Sequence, residues 1–305
     1  MNRSAVRRRL LVASAAAPLA LSLRRPAAAA TDAANITGPS GVGARFAALE
    51  RHYGGRLGVC ARTASGDGIG HRANERFPFC STFKLILASA VLARSTLSPG
   101  LLDRRIRYTQ RDLVSYSPLS SQHVATGMTV AALCAAAIQY SDNSAANLLM
   151  RMLGGPSAVT AYARSIGDTA FRLDRWETAL NTAIPGDPRD TSTPTAMTHT
   201  AYALVLGDAL PASQRAQLQT WLRGNTTGGK RIRAGVPADW RVGDKTGTGD
   251  RGTANDVAVL WRPSHEPIVL TVFHTREVAD AKPSDDVIAE AARIVAETFA
   301  SATTG

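Results

Sequence analysis

Ser81 and Lys84 stand three positions apart in Ser81-Thr82-Phe83-Lys84, at the head of an apolar stretch with helical spacing. Residues three apart share one face of a helix, so a helix opened by Ser81 would bring its hydroxyl to the Lys84 amine. A neutral amine beside a hydroxyl can accept its proton and leave a nucleophile. The positive end of the helix would favour a developing oxyanion. A chain of this length holds roughly one Ser-x-x-Lys by composition alone, so a solvated lysine on an ordinary helix explains the pair equally well.

Three further groups of residues bear on the same chemistry. Ser141-Asp142-Asn143 lies between two expected helices and can point Ser141 and Asn143 into a cleft, although all three residue types also favour helix caps. Lys245-Thr246-Gly247-Thr248-Gly249 closes an expected strand. Its cation and hydroxyls suit a carboxylate, and its glycine lets a ligand approach the backbone; a strand end followed by a turn is the plain alternative. Glu177 and Asn181, four apart in a polar loop, can hold a water ready to attack an acyl group, or Glu177 is simply solvated. Each of these three patterns occurs in roughly one chain in fifteen to twenty by composition, and all three together in on the order of one in several thousand. The plain alternatives are each reasonable and jointly improbable.

Certain elements must position these residues. Helical periodicity covers Val42 to His52, stopped by Gly54-Gly55, and strands are expected over Arg56 to Arg62 and, after a turn at Ala64 to Gly68, on to Ala73. Helices then dominate: Ser81 to Arg94, Thr129 to Tyr140 with Thr129 as N-cap, Ser144 to Leu153, Pro156 to Ile166, Pro194 to Leu206 behind Thr193, and Pro211 to Leu222. Arg172 to Asp190 is polar and proline-bearing, a long loop of the kind that is usually functional. Strands return at Arg241 to Thr246, Ala254 to Trp261 and Ile268 to His274, before an amphipathic helix over Asp285 to Phe299. Strands at both ends with helices between predict an α+β fold. Its antiparallel sheet would be built from both chain termini, with flanking helices and an inserted all-helical lobe.

The 305 residues, 45% hydrophobic and 19% charged, suit a globular chain with a sizeable core. Met1 to Arg9 is basic, Leu10 to Leu23 apolar, and Ala27 to Ala30 small, which reads as a cleaved export signal over residues 1–30. The apolar run is short of the roughly 20 residues that span a bilayer. Arg7-Arg8-Arg9-Leu10-Leu11 resembles a twin-arginine signal, with an ordinary secretory signal as the alternative. Six arginines leave with it, so the remaining 29 Lys+Arg against 24 Asp+Glu give a net charge of +5 rather than +11. That charge is mild and dispersed and gives no case for nucleic acid. Cys60, Cys80 and Cys134 are too few and odd in number for a disulfide framework. His52, His71, His123, His199, His265 and His274 show no metal-ligand spacing, and no cofactor motif is present, so neither metal nor cofactor is expected.

The four motifs together resemble the class A β-lactamases, whose signature is the Ser-x-x-Lys, Ser-Asp-Asn and Lys-Thr-Gly set. The resemblance extends over Phe77-Pro78-Phe79, Asp142 to Asn147, Arg175-Trp176-Glu177 and Gly252 to Asp256. It implies the serine β-lactamase and penicillin-binding-protein type of fold. Residues 31–305 would be the catalytic unit, with a sheet-bearing part from about 31–80 and 223–305 and a helical part over about 81–222. It also implies a mechanism that opens penicillin-type and cephalosporin-type rings. Ser81 would attack the lactam carbonyl. The backbone N–H groups of Ser81 and Thr248 would form the oxyanion hole, and Ser141 would protonate the leaving nitrogen beside Lys84 and Lys245. Glu177 and Asn181 would hold the deacylating water, and either Lys84 or Glu177 would take the Ser81 proton. Thr246, Thr248 and Arg231 would hold the substrate carboxylate, Arg231 being favoured over Arg233 by its spacing to Lys245, and Gly247 would also belong to the substrate site. Asn143 would bind the acylamide side chain, Tyr116 would form an apolar wall, and Arg175 with Asp190 would close the long loop.

Some relatives bridge cysteines at the positions of Cys134 and Ala88, and some carbapenem-hydrolysing ones at the positions of Cys80 and Gly249. Neither bridge can form here, so Cys80 is expected as a free thiol. The resemblance further implies a monomeric, exported protein, periplasmic or secreted and free of the membrane after signal cleavage, whose partner is a small β-lactam. The alternatives are a D-alanyl-D-alanine carboxypeptidase (a penicillin-binding protein) and a β-lactam sensor, which would lack the Glu177 to Asn181 arrangement or carry a membrane anchor.

Overall fold

In the computed structural model, residues 41–66 and 68–301 are described; the expected export signal and the stretch to Ser40 lie outside them. Helix α1 (Val42–Tyr53) buries Val42, Phe46 and Leu49 from one face. Gly54 and Gly55, at φ 70° and 83°, then turn the chain into β1 (Arg56–Arg62), a conformation open to glycine at little steric cost. Strand β2 (Gly68–His71) folds back on β1, and after the two-residue β3 (Phe77–Pro78) the chain enters the helical region.

That region holds α2 (Lys84–Leu97), β4 (Arg105–Ile106), β5 (Met128–Thr129), α3 (Val130–Gln139), α4 (Asn143–Leu153) and α5 (Pro156–Ser165). The long loop, β6 (Thr191–Ser192), α6 (Pro194–Val205) and α7 (Ala212–Arg223) complete it. Thr129 and Thr193 cap α3 and α6 by accepting from Ala132 and Ala196 N–H, as their residue types predict. The helical stretch Cys80–Leu97 is long and apolar enough to suit a bilayer, but α2 packs inside this lobe against α3, α4, α5 and α7.

The chain returns through α8 (Ile232–Gly235) to β7 (Arg241–Thr248), β8 (Ala254–Trp261) and β9 (Ile268–Thr275), then α9 (Asp285–Ser301). The main sheet runs β2-β1-β9-β8-β7, antiparallel throughout. The expected α+β architecture, with a sheet drawn from both ends of the chain, is the one observed. Side chains alternate across each strand. On β8 and β9, Val257, Val259, Val269 and Phe273 join the core of the helical lobe. Ala258, Leu260, Ile268, Leu270 and Val272 face α1 and α9. Burial on both faces makes these strands nearly continuous apolar runs. Strand β7 is left at the sheet edge, beside the turn that carries Ser81.

Candidate active site

Ser81 does not begin an α-helix directly. A turn of 3-10 helix, Cys80–Phe83, feeds α2, and Cys80 ahead of the serine takes a left-handed φ of 48°. Such a backbone costs about 1–3 kcal/mol and persists only where its surroundings enforce it. Here Thr82 Oγ1 donates to Phe79 O at 2.8 Å, and Phe79 stacks on Phe171 at 4.8 Å between ring centroids. Asn255 Nδ2 also donates to Pro78 O.

The helical spacing brings Lys84 Nζ 2.9 Å from Ser81 Oγ. The fully buried amine also reaches Glu177 Oε1 at 2.9 Å, Ser141 O at 2.8 Å and Asn143 Oδ1 at 2.6 Å. Burial pushes its pKa below the usual lysine value, and the Glu177 charge opposes that shift. Ser81 Oγ is itself 3.2 Å from Glu177 Oε1. Two groups that can accept a proton therefore flank one hydroxyl.

Ser141-Asp142-Asn143 serves both purposes that its sequence allowed. Asp142 caps α4 through Ala145 N–H and binds Leu119 N–H and Ser120. Ser141, at φ 56°, and Asn143 turn toward Lys84. Asn143 Nδ2 donates to Ser115 O, and its backbone N–H to the carbonyl of Tyr116, whose ring is 59% exposed at the rim.

The long loop is pinned at two places. Arg175 Nε meets Asp190 Oδ2 at 2.5 Å, and Asp190 Oδ1 accepts from the N–H groups of Asp174 and Arg175. Asn147, one turn beyond Asn143 on α4, brackets Glu177: its Oδ1 accepts from Glu177 N–H and its Nδ2 donates to Glu177 O. In the sequence Asn147 carries no mark of this role beyond its four-residue spacing from Asn143. Asn181 Nδ2 then donates to Glu177 Oε2 at 2.6 Å, while the buried Asn181 Oδ1 meets no donor among the described residues.

Edge strand β7 forms the opposite wall. Lys245 Nζ donates to Ser141 Oγ at 3.0 Å, and burial together with the nearby Lys84 charge pushes its pKa well down. A Cβ built on Gly247 would stand 2.6 Å from Phe79 O and 3.2 Å from Ser81 N, so only glycine lets β7 lie this close to the nucleophile. A Cβ on Gly249 would stand 2.7 Å from Sγ of Cys80, a buried free thiol. Arg231 lies behind the strand. It donates to Asp285, to the carbonyls of Gly247 and Asn255, and through Nη2 to Thr248 Oγ1 at 2.8 Å. Arg233 turns away to Asp244. Thr248 is exposed, whereas Thr246 is buried against Thr227, which sequence reasoning did not single out.

Ser81, Lys84, Ser141, Asn143, Glu177, Asn181 and Lys245 thus form one hydrogen-bonded cluster where α4, the long loop and β7 meet, with Gly247 and Thr248 beside it on β7, Arg231 behind that strand and Tyr116 at the rim. It offers a hydroxyl flanked by two proton acceptors, a second hydroxyl between two lysines, and an unpaired strand edge.

The general model of the β-lactamase enzyme family matches residues 42–299. The chain is similar to the carbapenem-hydrolyzing β-lactamase KPC of Klebsiella oxytoca, 59% identical over 254 residues that cover 83% of this chain and 87% of that protein. It is 50% identical to β-lactamase Toho-1 of Escherichia coli over 300 residues, 98% of this chain and 100% of that one. Among solved structures it resembles the β-lactamase of Desulfarculus baarsii at a TM-score of 0.83 and 58% identity, covering 85% of this chain and 97% of that one. A reconstructed class A β-lactamase of the last common ancestor of Gram-negative bacteria gives a TM-score of 0.83 at 57% identity, with 85% and 100% covered.

Proposed function

The chain belongs to the class A β-lactamase family and hydrolyses β-lactam antibiotics, an activity that confers resistance to them, and we propose that it does so through an acyl-enzyme on Ser81 that a Glu177-bound water releases. Ser81 Oγ bonds to the lactam carbonyl carbon as its proton passes to Lys84 or Glu177. The backbone N–H groups of Ser81 and Thr248 hold the oxyanion. The C–N bond breaks as Ser141 gives its proton to the nitrogen and takes back, through Lys84, the proton that left Ser81, which leaves Glu177 ionised for the next step; the lysines on either side of Ser141 hold its hydroxyl in place. Glu177 then takes a proton from water, whose oxygen attacks the ester, and as the ester C–O bond breaks that proton passes to Ser81 Oγ and restores both groups. Support for the water comes from the paired Glu177 carboxylate and Asn181 amide, the latter keeping a buried acceptor.

The observation that carries this mechanism is the position of Ser81 Oγ within 3.2 Å of both Lys84 Nζ and Glu177 Oε1. Arg231, Thr246 and Thr248 receive the substrate carboxylate, Gly247 lets β7 and the bound substrate lie close to Ser81, Asn143 takes the acylamide side chain, and the Tyr116 ring the apolar part of the ligand. Residues 1–30 direct export by the twin-arginine route, and residues 31–305 work as a monomer in the periplasm or outside the cell, without a cofactor. Intact-mass analysis of Glu177→Ala mixed with a penicillin tests the mechanism. One penicilloyl adduct on the peptide bearing Ser81 is expected; an adduct elsewhere, or none, contradicts it.

A further inference from the structure

A cavity of about 660 Å³ opens where the second half of the long loop meets the start of β1 and the end of β9. Small-molecule sites usually occupy roughly 300–1,000 Å³, so its size is that of a ligand pocket. It shares no residue with the catalytic cluster. Ile184, Pro185 and Pro188 of the loop and Val278 beyond β9 give it an apolar wall. Ile184 is 46% exposed and Val278 61%, so both keep apolar surface that an occupant would remove from water.

Three arginines line the same cavity, and they differ in what balances them. Arg56 is paired with Glu75 at 2.6 Å and lies over the Phe77 ring. Arg76 donates to neutral groups, Ala170 O and Thr191 Oγ1, and has no acid partner among the described residues. Arg276 is threaded between two glycines: a Cβ on Gly55 would stand 2.8 Å from its Cγ, and one on Gly252 3.3 Å from its Cδ. Its Nε is buried without an acceptor, and no carboxylate pairs with it among the described residues. The fold thus holds this guanidinium by packing and leaves its charge unbalanced. Of the two acids in the lining, Asp187 is already paired with Arg189 at 2.7 Å. Glu277 has no ion-pair partner among the described residues. Arg76 and Arg276 therefore outweigh Glu277, and an excess of one positive charge stands beside the apolar wall.

We propose that this cavity is a second ligand site, separate from the catalytic cleft, for an arylcarboxylate: a flat apolar ring bearing one negative charge. The carboxylate is drawn to the Arg76 and Arg276 charges, where a guanidinium gives charge-assisted hydrogen bonds. The ring covers Ile184 and Val278, and a guanidinium plane also accepts an aromatic face. A neutral ring would leave both guanidiniums unbalanced, and a dianion would meet the Glu277 carboxylate.

Titration of the isotope-labelled protein with naphthoate, followed by backbone amide NMR shifts, tests this. Saturable shifts are expected at Ile184, Asp187 and Val278, with a Kd of about 1 mM or below, which a ligand of this size reaches at ordinary efficiency. The amides of Ser81 and Thr248 should not move. Naphthamide has the same shape without the charge and should bind about tenfold more weakly. Arg276→Gln should weaken naphthoate by a similar factor while leaving naphthamide binding and penicillin turnover unchanged. Val278→Asp places a carboxylate at an exposed position, where the fold is not at risk, and should also weaken naphthoate. Shifts confined to Ser81 and Thr248 would put naphthoate in the catalytic cleft instead and overturn the proposal. So would equal affinity for acid and amide, equal affinity of wild type and both variants for the acid, or no saturation up to about 10 mM.

Discussion

Ser81 Oγ and Glu177 Oε1 stand 3.2 Å apart, although 96 positions separate them in sequence, and Lys84 Nζ lies 2.9 Å from each. The triangle joins the start of α2 to the long loop. The loop must therefore hold its shape for the carboxylate to stay in reach.

Asp190→Asn should break that shape. Asp190 is fully buried and binds the Arg175 side chain as well as two backbone N–H groups. Removing its charge leaves the guanidinium without its anion, which costs about 3 kcal/mol for a buried pair. Thermal melts should show the loss. Rapid-mixing kinetics should show acylation largely retained and deacylation slowed at least ~10-fold, since one misplaced catalytic group costs about that or more. Acylation slowed by the same factor would make Glu177 the base in that step too, and deacylation left unchanged would contradict its role in releasing Ser81.

Gly247→Ala is expected to cut kcat/KM by about 100-fold, the effect of a displacement near 1 Å in a reacting site. The added methyl would meet Phe79 O and Ser81 N and push β7 away from the nucleophile. Steady-state kinetics on a penicillin check this. A variant with unchanged kcat/KM would mean that the close approach of β7 has no part in catalysis.

Thr248→Ala should lower kcat/KM for cefotaxime by roughly 10-fold, because a hydrogen bond to a charged carboxylate is worth somewhat more than a neutral one. Thr248 presents its hydroxyl under the guanidinium of Arg231. Equal rates for wild type and variant would remove Thr248 from the substrate site.

Much of the site follows from spacing along the chain. Ser81 and Lys84 are neighbours on one helical turn, and Asp142 caps the helix that its residue type suggests. Arg231 reaches Thr248 where Arg233 does not. The strands of the sheet are legible because burial on both faces makes β8 and β9 long apolar runs. Two-residue strands such as β3 and β6 are not, since their pairing depends on distant partners rather than on local pattern. The same limit hides Asn147 behind Glu177: a lone amide in a helix carries no sign of what it will face.

Stability in acid should depend on Glu50. Burial raises the pKa of this carboxyl group, but hydrogen bonds from Arg72 and from Leu57 N–H outweigh it and bring the value from 4.5 to about 2. The folded state favours the charged form, so the stabilisation is fully present above pH 4.5 and is lost as pH falls through about 2. Glu50→Gln should melt below wild type near neutrality, and the gap should close across that window. A gap that persists unchanged in acid would contradict this assignment.

The most direct test of the mechanism is turnover of a chromogenic cephalosporin by the purified chain starting near residue 31, with Ser81→Ala and Glu177→Ala alongside. The wild type should hydrolyse many equivalents steadily, Ser81→Ala none, and Glu177→Ala a single equivalent before stalling as the acyl-enzyme. A single burst in the wild type, or steady turnover by Glu177→Ala, would contradict the role given to Glu177 in releasing Ser81.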